Sequence, residues 1–170
     1  AALVTADWIL GGSTGLSNRI VTRLRQKEGL SYGAGSGITL PRFGNRGHWS
    51  VGAIVAPQNV RQAEASLRDE LARAVKDITE QELAEAKRGL IEYRAVNRAQ
   101  DGTLAGSWIN FMESGRDWSF SKDMEVAIEK LTVKDVNAAI RRIADPSKMT
   151  FVLAADLAKA REAGKDFSKQ

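Results

Sequence analysis

Arg25 and Tyr32 stand seven residues apart on either side of Gly29. Guanidinium and phenol groups are both hydrogen-bond donors at neutral pH. Two such donors that meet at one point suit a peptide carbonyl, or the oxyanion formed when that carbonyl is attacked. The same residues also allow a purely structural interpretation, in which Arg25 caps a helix or pairs with Glu28 and Tyr32 is a core aromatic residue. Spacing alone leaves both interpretations open.

The single histidine, His48, restricts what other chemistry the segment can contain. There is no cysteine, and neither H-E-x-x-H nor H-x-x-E-H occurs. A catalytic zinc usually takes three protein ligands, and a Ser-His-Asp device needs a histidine beside its nucleophile. No second ligand lies two or four residues after His48, which favours a structural or surface role for it. We therefore expect no metal and no other cofactor in this segment.

Two glycine-rich stretches superficially resemble phosphate-binding loops. The run from Gly11 to Gly15 lacks the Gly-Lys-Ser/Thr ending of a phosphate loop. Gly33, Gly35 and Gly37 have the spacing of alternate strand positions instead of the dinucleotide fingerprint. Neither stretch predicts a nucleotide site.

Composition indicates one globular domain without a membrane or nucleic-acid role. The chain has 170 residues, 43% of them hydrophobic, and Lys+Arg 25 against Asp+Glu 21. No apolar run approaches the roughly 20 residues that a membrane span requires. The small basic excess alternates with acidic residues, as on the helix predicted around Arg61 to Arg73, which is typical of a solvated face. Weak nucleic-acid binding is thus a disfavoured alternative.

The elements that must position Arg25 and Tyr32 can be predicted from hydrophobic periodicity. We expect a helix over 2–10, a short helix over 17–27 with a serine cap, and strands over 32–40 and 48–56. Tyr32 falls on the strand face of Ala34 and Ser36, and glycines occupy the other face. A face without side chains lets a helix or another backbone come close.

Helices dominate the rest of the chain. We expect one over 57–78, another opened by the capping box Thr79-x-x-Glu82, a break near Asp101, and a continuation to Gly115. Thr132 caps a further helix, with Leu131 and Val136 as a hydrophobic staple, which ends before Asp145-Pro146. The apolar run 149–155 predicts a central strand buried on both faces. The pattern indicates a single α+β domain over 1–156, with helices on one sheet face, and a solvated tail over 157–170. The four tryptophans fall in separate elements, where core anchoring is the ordinary role.

The segments Gly-Gly-Ser-Thr-Gly-Leu-Ser-Asn-Arg-Ile and Leu-Arg-Gln-Lys-Glu-Gly-Leu-Ser-Tyr resemble a known family. They are similar to the C-terminal homologous half of the insulinase or pitrilysin-type zinc metallopeptidases, which include the mitochondrial processing peptidases. The resemblance extends over most of the chain, and its most specific element is the Arg and Tyr at this separation. It implies a two-layer α+β sandwich of the LuxS and mitochondrial-processing-peptidase type, with a mostly antiparallel sheet.

In that family two related halves enclose the substrate, one carrying the zinc motif and the other an Arg/Tyr pair. The resemblance implies that Arg25 and Tyr32 match this pair, and that this chain is the half without metal. It implies a zinc-binding homologous domain or subunit and a peptide as partners, and no peptidase activity for this segment alone. An inactive scaffold of the same fold is the alternative.

The first residues of the chain bear on whether it is part of a larger protein. Residue 1 opens on Ala-Ala-Leu-Val-Thr-Ala, without an initiator Met or a signal-peptide pattern. We expect a piece of a larger protein or a trimmed chain. The absence of cysteine fits a bacterial protein of the periplasm or the cytoplasm, with the periplasm favoured.

Overall fold

The computed structural model describes residues 1–13, 17–41, 43–44 and 46–156, and seven α-helices and two strands lie within them. The tail predicted over 157–170 and residues 14–16 of the glycine-rich turn lie outside the described residues.

Two short helices precede the sheet. Helix α1, Ala2–Asp7, continues as a π-helical segment Trp8–Gly12. Helix α2, Arg19–Val21, continues as a second π-helical segment, Thr22–Lys27. The expected serine cap is wrong, because the side chain of Asn18 accepts the hydrogen bond from the Val21 amide at 2.9 Å.

The sheet is an antiparallel hairpin of β1, Ser31–Thr39, and β2, His48–Val55. One face packs on the hydrophobic core through residues that include Ala34, Val51 and Val55. On the opposite face the side chains are exposed, as at Thr39 and Ile54. Helices on one face of an antiparallel sheet confirm the predicted α+β class.

Three helices follow the sheet. After a 3₁₀ turn, Pro57–Asn59, come α3, Val60–Ala74, then α4, Glu80–Arg98, and α5, Asp101–Glu113. The capping box at the start of α4 is present in both directions, from Thr79 to the Glu82 amide and from the Glu82 carboxylate back to the Thr79 amide. The predicted break before Asp101 is confirmed.

Two more helices complete the layer. Helix α6, Trp118–Glu129, was not predicted, and α7, Val133–Ile143, was. Thr132 and Asp135 form a capping box on α7, and Val136 is fully buried as expected. Helix α7 ends before Asp145, and a 3₁₀ turn, Pro146–Lys148, follows.

The core lies between the helices and the inner sheet face. Its largest fully buried side chains come from α1, α2, α3, α4 and α7 and their continuations: Leu10, Ile20, Leu24, Leu71, Leu83, Val136 and Ile140. At about 25 cal/mol per Å² of buried apolar surface, such side chains dominate the favourable free energy of folding. The helix that carries Arg25 is therefore anchored through Ile20 and Leu24.

The expected central strand over 149–155 is wrong. These residues form no strand, and Phe151, Val152 and Leu153 are 39%, 85% and 44% exposed. The segment runs beside β2 and α3, where the Arg68 guanidinium lies 3.4 Å from the centre of the Phe151 ring. A central strand that is buried on both faces needs a packed layer on each side of the sheet. The outer face of this sheet is open, so it could not bury such a strand.

Helix α5 contributes no buried residue although it carries several large apolar side chains. Leu104, Trp108, Ile109 and Met112 are 37%, 49%, 56% and 67% exposed. Core anchoring is therefore wrong for Trp108, which packs its ring against Trp118 at 5.7 Å. Within the described ranges, none of the helices combines the length and apolar character that a membrane crossing needs.

Candidate functional site

A glycine turn brings the end of the second π-helical segment to the start of β1. Arg25 follows the buried Leu24, whose carbonyl accepts a hydrogen bond from the Leu30 amide at 2.8 Å. Between them Gly29 has φ of +63°, a conformation that residues with a Cβ rarely adopt. A methyl group added to Gly29 would have no atom within 4 Å, so there is room for a side chain. Glycine is favoured here because of the positive φ angle.

A β-bulge turns Tyr32 away from the core. Ser31 lies opposite Val55 and Gly33 opposite Ile54, which leaves Tyr32 as an extra residue in β1. Tyr32 is 84% exposed, whereas its neighbour Ser31 is 4% exposed. The prediction that Tyr32 shares the face of Ala34 is therefore wrong, because strict alternation assumes a strand without a bulge.

The buried Ser31 hydroxyl braces this bulge from inside. Its oxygen lies 2.9 Å from the Gly33 carbonyl and 2.7 Å from the Ile54 carbonyl, one on each strand. The single hydroxyl proton is shared between these two acceptors. Sequence analysis missed Ser31, and its only sequence signal is a small polar residue immediately before the tyrosine.

The structure brings Arg25 and Tyr32 together. The Arg25 guanidinium carbon lies 4.4 Å from the centre of the Tyr32 ring. Glu28 pairs with Arg23 and not with Arg25, and no ion pair of Arg25 occurs among the described residues. The pairing of Arg25 with Glu28 and the core position of Tyr32 are therefore wrong, whereas Arg25 does lie in the last turn of its helical segment.

This stacked arrangement, which we name the Arg25–Tyr32 pair, leaves both donors usable. A guanidinium that stacks on a ring keeps N–H groups pointing outward in its own plane. A cation–π contact at an exposed site contributes about 0.5–1 kcal/mol, which restricts the two side chains without burying them. The pair can therefore offer hydrogen-bond donors to an acceptor that approaches the outer face of the hairpin.

An ion-pair network fixes α2, on whose continuation Arg25 lies. The Arg19 Nε lies 2.6 Å from Glu82 Oε1, and its Nη2 lies 2.9 Å from Glu82 Oε2. The same Nη2 donates to the Asp77 carbonyl at 2.8 Å. Burial raises the pKa of Glu82, but hydrogen bonds from Arg19 and the Thr79 amide outweigh it, so the pKa lies below its ordinary value. The network joins α2 to the junction of α3 and α4.

A second polar contact joins α1 to both strands. Asp7 Oδ1 accepts hydrogen bonds from the Ser36 hydroxyl at 2.6 Å and from Trp49 Nε1 at 2.7 Å. Close by, a methyl group added to Gly11 would lie 2.5 Å from the Ser36 amide nitrogen. The glycine-rich strand β1 was expected to let another backbone come close, and the backbone that does so is that of Gly11. Sequence analysis did not single out Asp7.

The described residues do not offer a zinc site. They contain no group of three or more His, Cys, Asp or Glu side chains placed to hold a metal ion. His48 is exposed at the first residue of β2, as its surface interpretation requires. The donor set of these residues therefore does not fit zinc, and no chemical step through a metal is derived for them.

Known proteins resemble the chain in sequence and in fold. A family model described as the peptidase M16 inactive domain matches residues 1–90. A Helicobacter pylori protein named non-peptidase homolog YmxG is 22% identical over 154 residues, which are 89% of this chain and 34% of that protein. The chain thus spans about a third of the length of this curated relative.

Solved structures share the fold. The peptidase M16 inactive domain from Pseudomonas fluorescens is 26% identical with a TM-score of 0.72, over 84% of this chain and 33% of that one. A candidate zinc protease from Bordetella pertussis Tohama I is 19% identical with a TM-score of 0.68, over 90% of this chain and 84% of that one. These matches confirm the resemblance found in the sequence and the α+β fold. The chain belongs to the family of peptidase M16 inactive domains.

Proposed function

We propose that this chain is the substrate-binding, non-catalytic half of a zinc endopeptidase. In this proposal Arg25 and Tyr32 donate hydrogen bonds to a carbonyl of the bound peptide, and zinc is held by another domain or subunit. The observation that carries the proposal is the Arg25–Tyr32 pair, in which the ring is 84% exposed and the guanidinium lies 4.4 Å from its centre. The β-bulge at Tyr32 supports it further, because bulges are over-represented next to active sites, where they redirect a side chain.

The chemistry of the two donors supports a carbonyl as the bound group. A phenol hydroxyl donates one hydrogen bond and a guanidinium several, which together match an oxygen that gains negative charge. Preorganised donors of this kind act on the transition state more than on the ground state. The role belongs to turnover in the assembled enzyme, because the described residues contain no group placed to hold a metal ion.

The test is Tyr32→Phe in the enzyme assembled with its zinc-bearing half. Loss of one such donor lowers turnover by about 10²–10³. Zinc content and melting temperature should stay at the wild-type values, because the hydroxyl has no buried partner among the described residues. Tyr93→Phe is the matched control, since Tyr93 is the second of the two tyrosines and packs on Trp8 at 5.2 Å. Unchanged turnover in Tyr32→Phe rejects the role.

A second candidate function is an inactive scaffold or interaction domain of the same fold. The name of the relative YmxG, a non-peptidase homolog, and the exposed apolar side of α5 support it. Under this alternative, Tyr32→Phe leaves turnover unchanged, and Arg25→Gln, which removes the stacking guanidinium, changes the melting temperature or the assembly. The same two variants therefore separate the two candidates.

A further inference from the structure

A cavity opens at the turn end of the β hairpin, far from the Arg25–Tyr32 pair. It lies where the end of β1 and the start of β2 meet α6 and the end of α7, and it measures about 550 Å³. Clefts of 300–1,000 Å³ are typical of small-ligand and peptide side-chain sites. At about 3.3 Å per strand residue, it lies roughly 20 Å from Tyr32 along β1. We name it the hairpin-end cavity.

Large apolar side chains line much of the hairpin-end cavity. Ile38 and Trp49 contribute from the two strands, Phe120 from α6 and Ile143 from α7. The Trp49 indole is held by its hydrogen bond to the buried Asp7 carboxylate at 2.7 Å. This hydrogen bond fixes the orientation of the Trp49 ring before a ligand binds, which reduces the entropy cost of binding.

The rim of the same cavity is basic. Arg116, which precedes α6, and Arg142 of α7 both line it, His48 adds an imidazole, and no carboxylate lines it among the described residues. The Arg116 guanidinium lies 4.3 Å from the centre of the Phe120 ring, a contact that orients its N–H groups. Neither arginine forms an ion pair with any carboxylate that the structure describes.

We propose that the hairpin-end cavity docks an acidic peptide segment, in which a Glu or Asp stands next to a large apolar residue. The carboxylate lies between Arg116 and Arg142, where a planar guanidinium can bind it through two parallel hydrogen bonds. The apolar neighbour enters the space between Trp49 and Phe120. Apolar walls favour this ligand over nucleic acid, whose binding depends on a track of phosphate contacts. The proposal does not depend on the role of the Arg25–Tyr32 pair.

The test is a titration of the folded chain, followed by amide and indole NMR shifts, with acetyl-Leu-Glu-Phe amide. Acetyl-Leu-Gln-Phe amide is the matched neutral peptide. We expect the acidic peptide to shift Ile38, Trp49 and Ile143, and to bind about tenfold more tightly than the neutral one, as one charge-assisted contact implies. The double variant Arg116→Gln/Arg142→Gln should lose this preference, and added salt should weaken it.

Three controls keep the test decisive. Arg61→Gln/Arg88→Gln removes the same charge from exposed positions of α3 and α4 and should bind like wild type. Tyr32→Phe should also bind like wild type, which separates this proposal from the proposed function. Circular dichroism establishes that each variant folds.

The proposal is overturned if wild type binds the acidic and the neutral peptide equally tightly. It is also overturned if the two double variants lose the same amount of affinity for the acidic peptide. Absence of any shift in the wild-type chain also overturns it. An oligonucleotide that displaces the acidic peptide from the same residues would assign the cavity to nucleic acid instead.

Discussion

Tyr32 is held outward by a serine that hardly reaches solvent. The types and spacing of Arg25 and Tyr32 could be predicted from the sequence as a donor pair, and the structure places them in contact. The bulge could not be predicted, because alternation in a sequence does not show where one extra residue enters a strand. Ser31 could not be predicted for the same reason, since its partners are backbone carbonyls that meet only at the bulge.

Replacing Ser31 by Ala should loosen the bulge. The change removes the hydroxyl that bridges Gly33 and Ile54, so we expect a loss of about 1 kcal/mol in the free energy of unfolding, typical of one buried hydrogen bond. The Tyr32 ring should lose its fixed contact with Arg25. Urea unfolding measures the first effect, and averaged NMR shifts of the Tyr32 ring measure the second.

Ser50→Ala is the control, because Ser50 lies on β2 with an exposed side chain. It should leave both the stability and the Tyr32 ring shifts close to wild type. A Ser31→Ala protein with wild-type Tyr32 shifts would show that the backbone alone maintains the bulge.

At the scale of elements, most helices and both strands were predictable because each has a local cause. Thr79 and Thr132 begin helices through capping boxes, and alternating apolar residues mark β2. Helix α6 was missed although Phe120, Met124 and Ile128 recur at the spacing of one helix face. The run 149–155 was misassigned because an apolar run does not specify whether a second layer covers it.

Glu82 should make the junction of α2 and α4 sensitive to acid. Its pKa in the folded chain lies below the ordinary value of 4.5, so the folded state binds fewer protons than the unfolded state. Its contribution to stability is therefore complete above pH 4.5 and is lost as the pH falls below that value. Glu82→Gln should cost about 1 kcal/mol at neutral pH, comparable to the loss of a helix cap.

Melting temperatures measured from neutral pH down to about pH 3 test this point, because the variant should show a shallower acid dependence than wild type. Glu80→Gln is the matched control, because Glu80 is an exposed carboxylate in the same first turn of α4 and forms no ion pair in the described part of the chain. An acid dependence unchanged by Glu82→Gln contradicts the assignment.

At the scale of the whole molecule, apolar patterning predicted which residues could form a core but not which of them do. Leu104 and Trp108 follow helical spacing like the core positions of α4, yet they are 37% and 49% exposed. A stripe on one helix identifies an apolar side, and only the arrangement of the other helices determines what covers it. The hairpin-end cavity could not be predicted either, because its walls come from five separate elements, α1, β1, β2, α6 and α7.

The isolated chain should neither bind zinc stoichiometrically nor cleave peptides. The described residues hold no cluster of metal ligands, and their single histidine is exposed. Elemental analysis after dialysis against zinc should give far less than one metal ion per chain, and a quenched fluorescent peptide should stay intact. The enzyme assembled with its proposed zinc-bearing half, assayed in parallel, establishes that the conditions support activity. One tightly held zinc per isolated chain would contradict the absence of a site.

The bulge at Tyr32 has a consequence for how the chain tolerates loss of a residue. Because Ser31 already lies opposite Val55 and Gly33 opposite Ile54, the two neighbours of Tyr32 occupy consecutive rungs of the ladder. Removing Tyr32 by deletion would therefore join those rungs into an uninterrupted hairpin with every other side chain on its present face. Deletion of Tyr32 should therefore remove the phenol donor and leave the pairing of β1 with β2 intact.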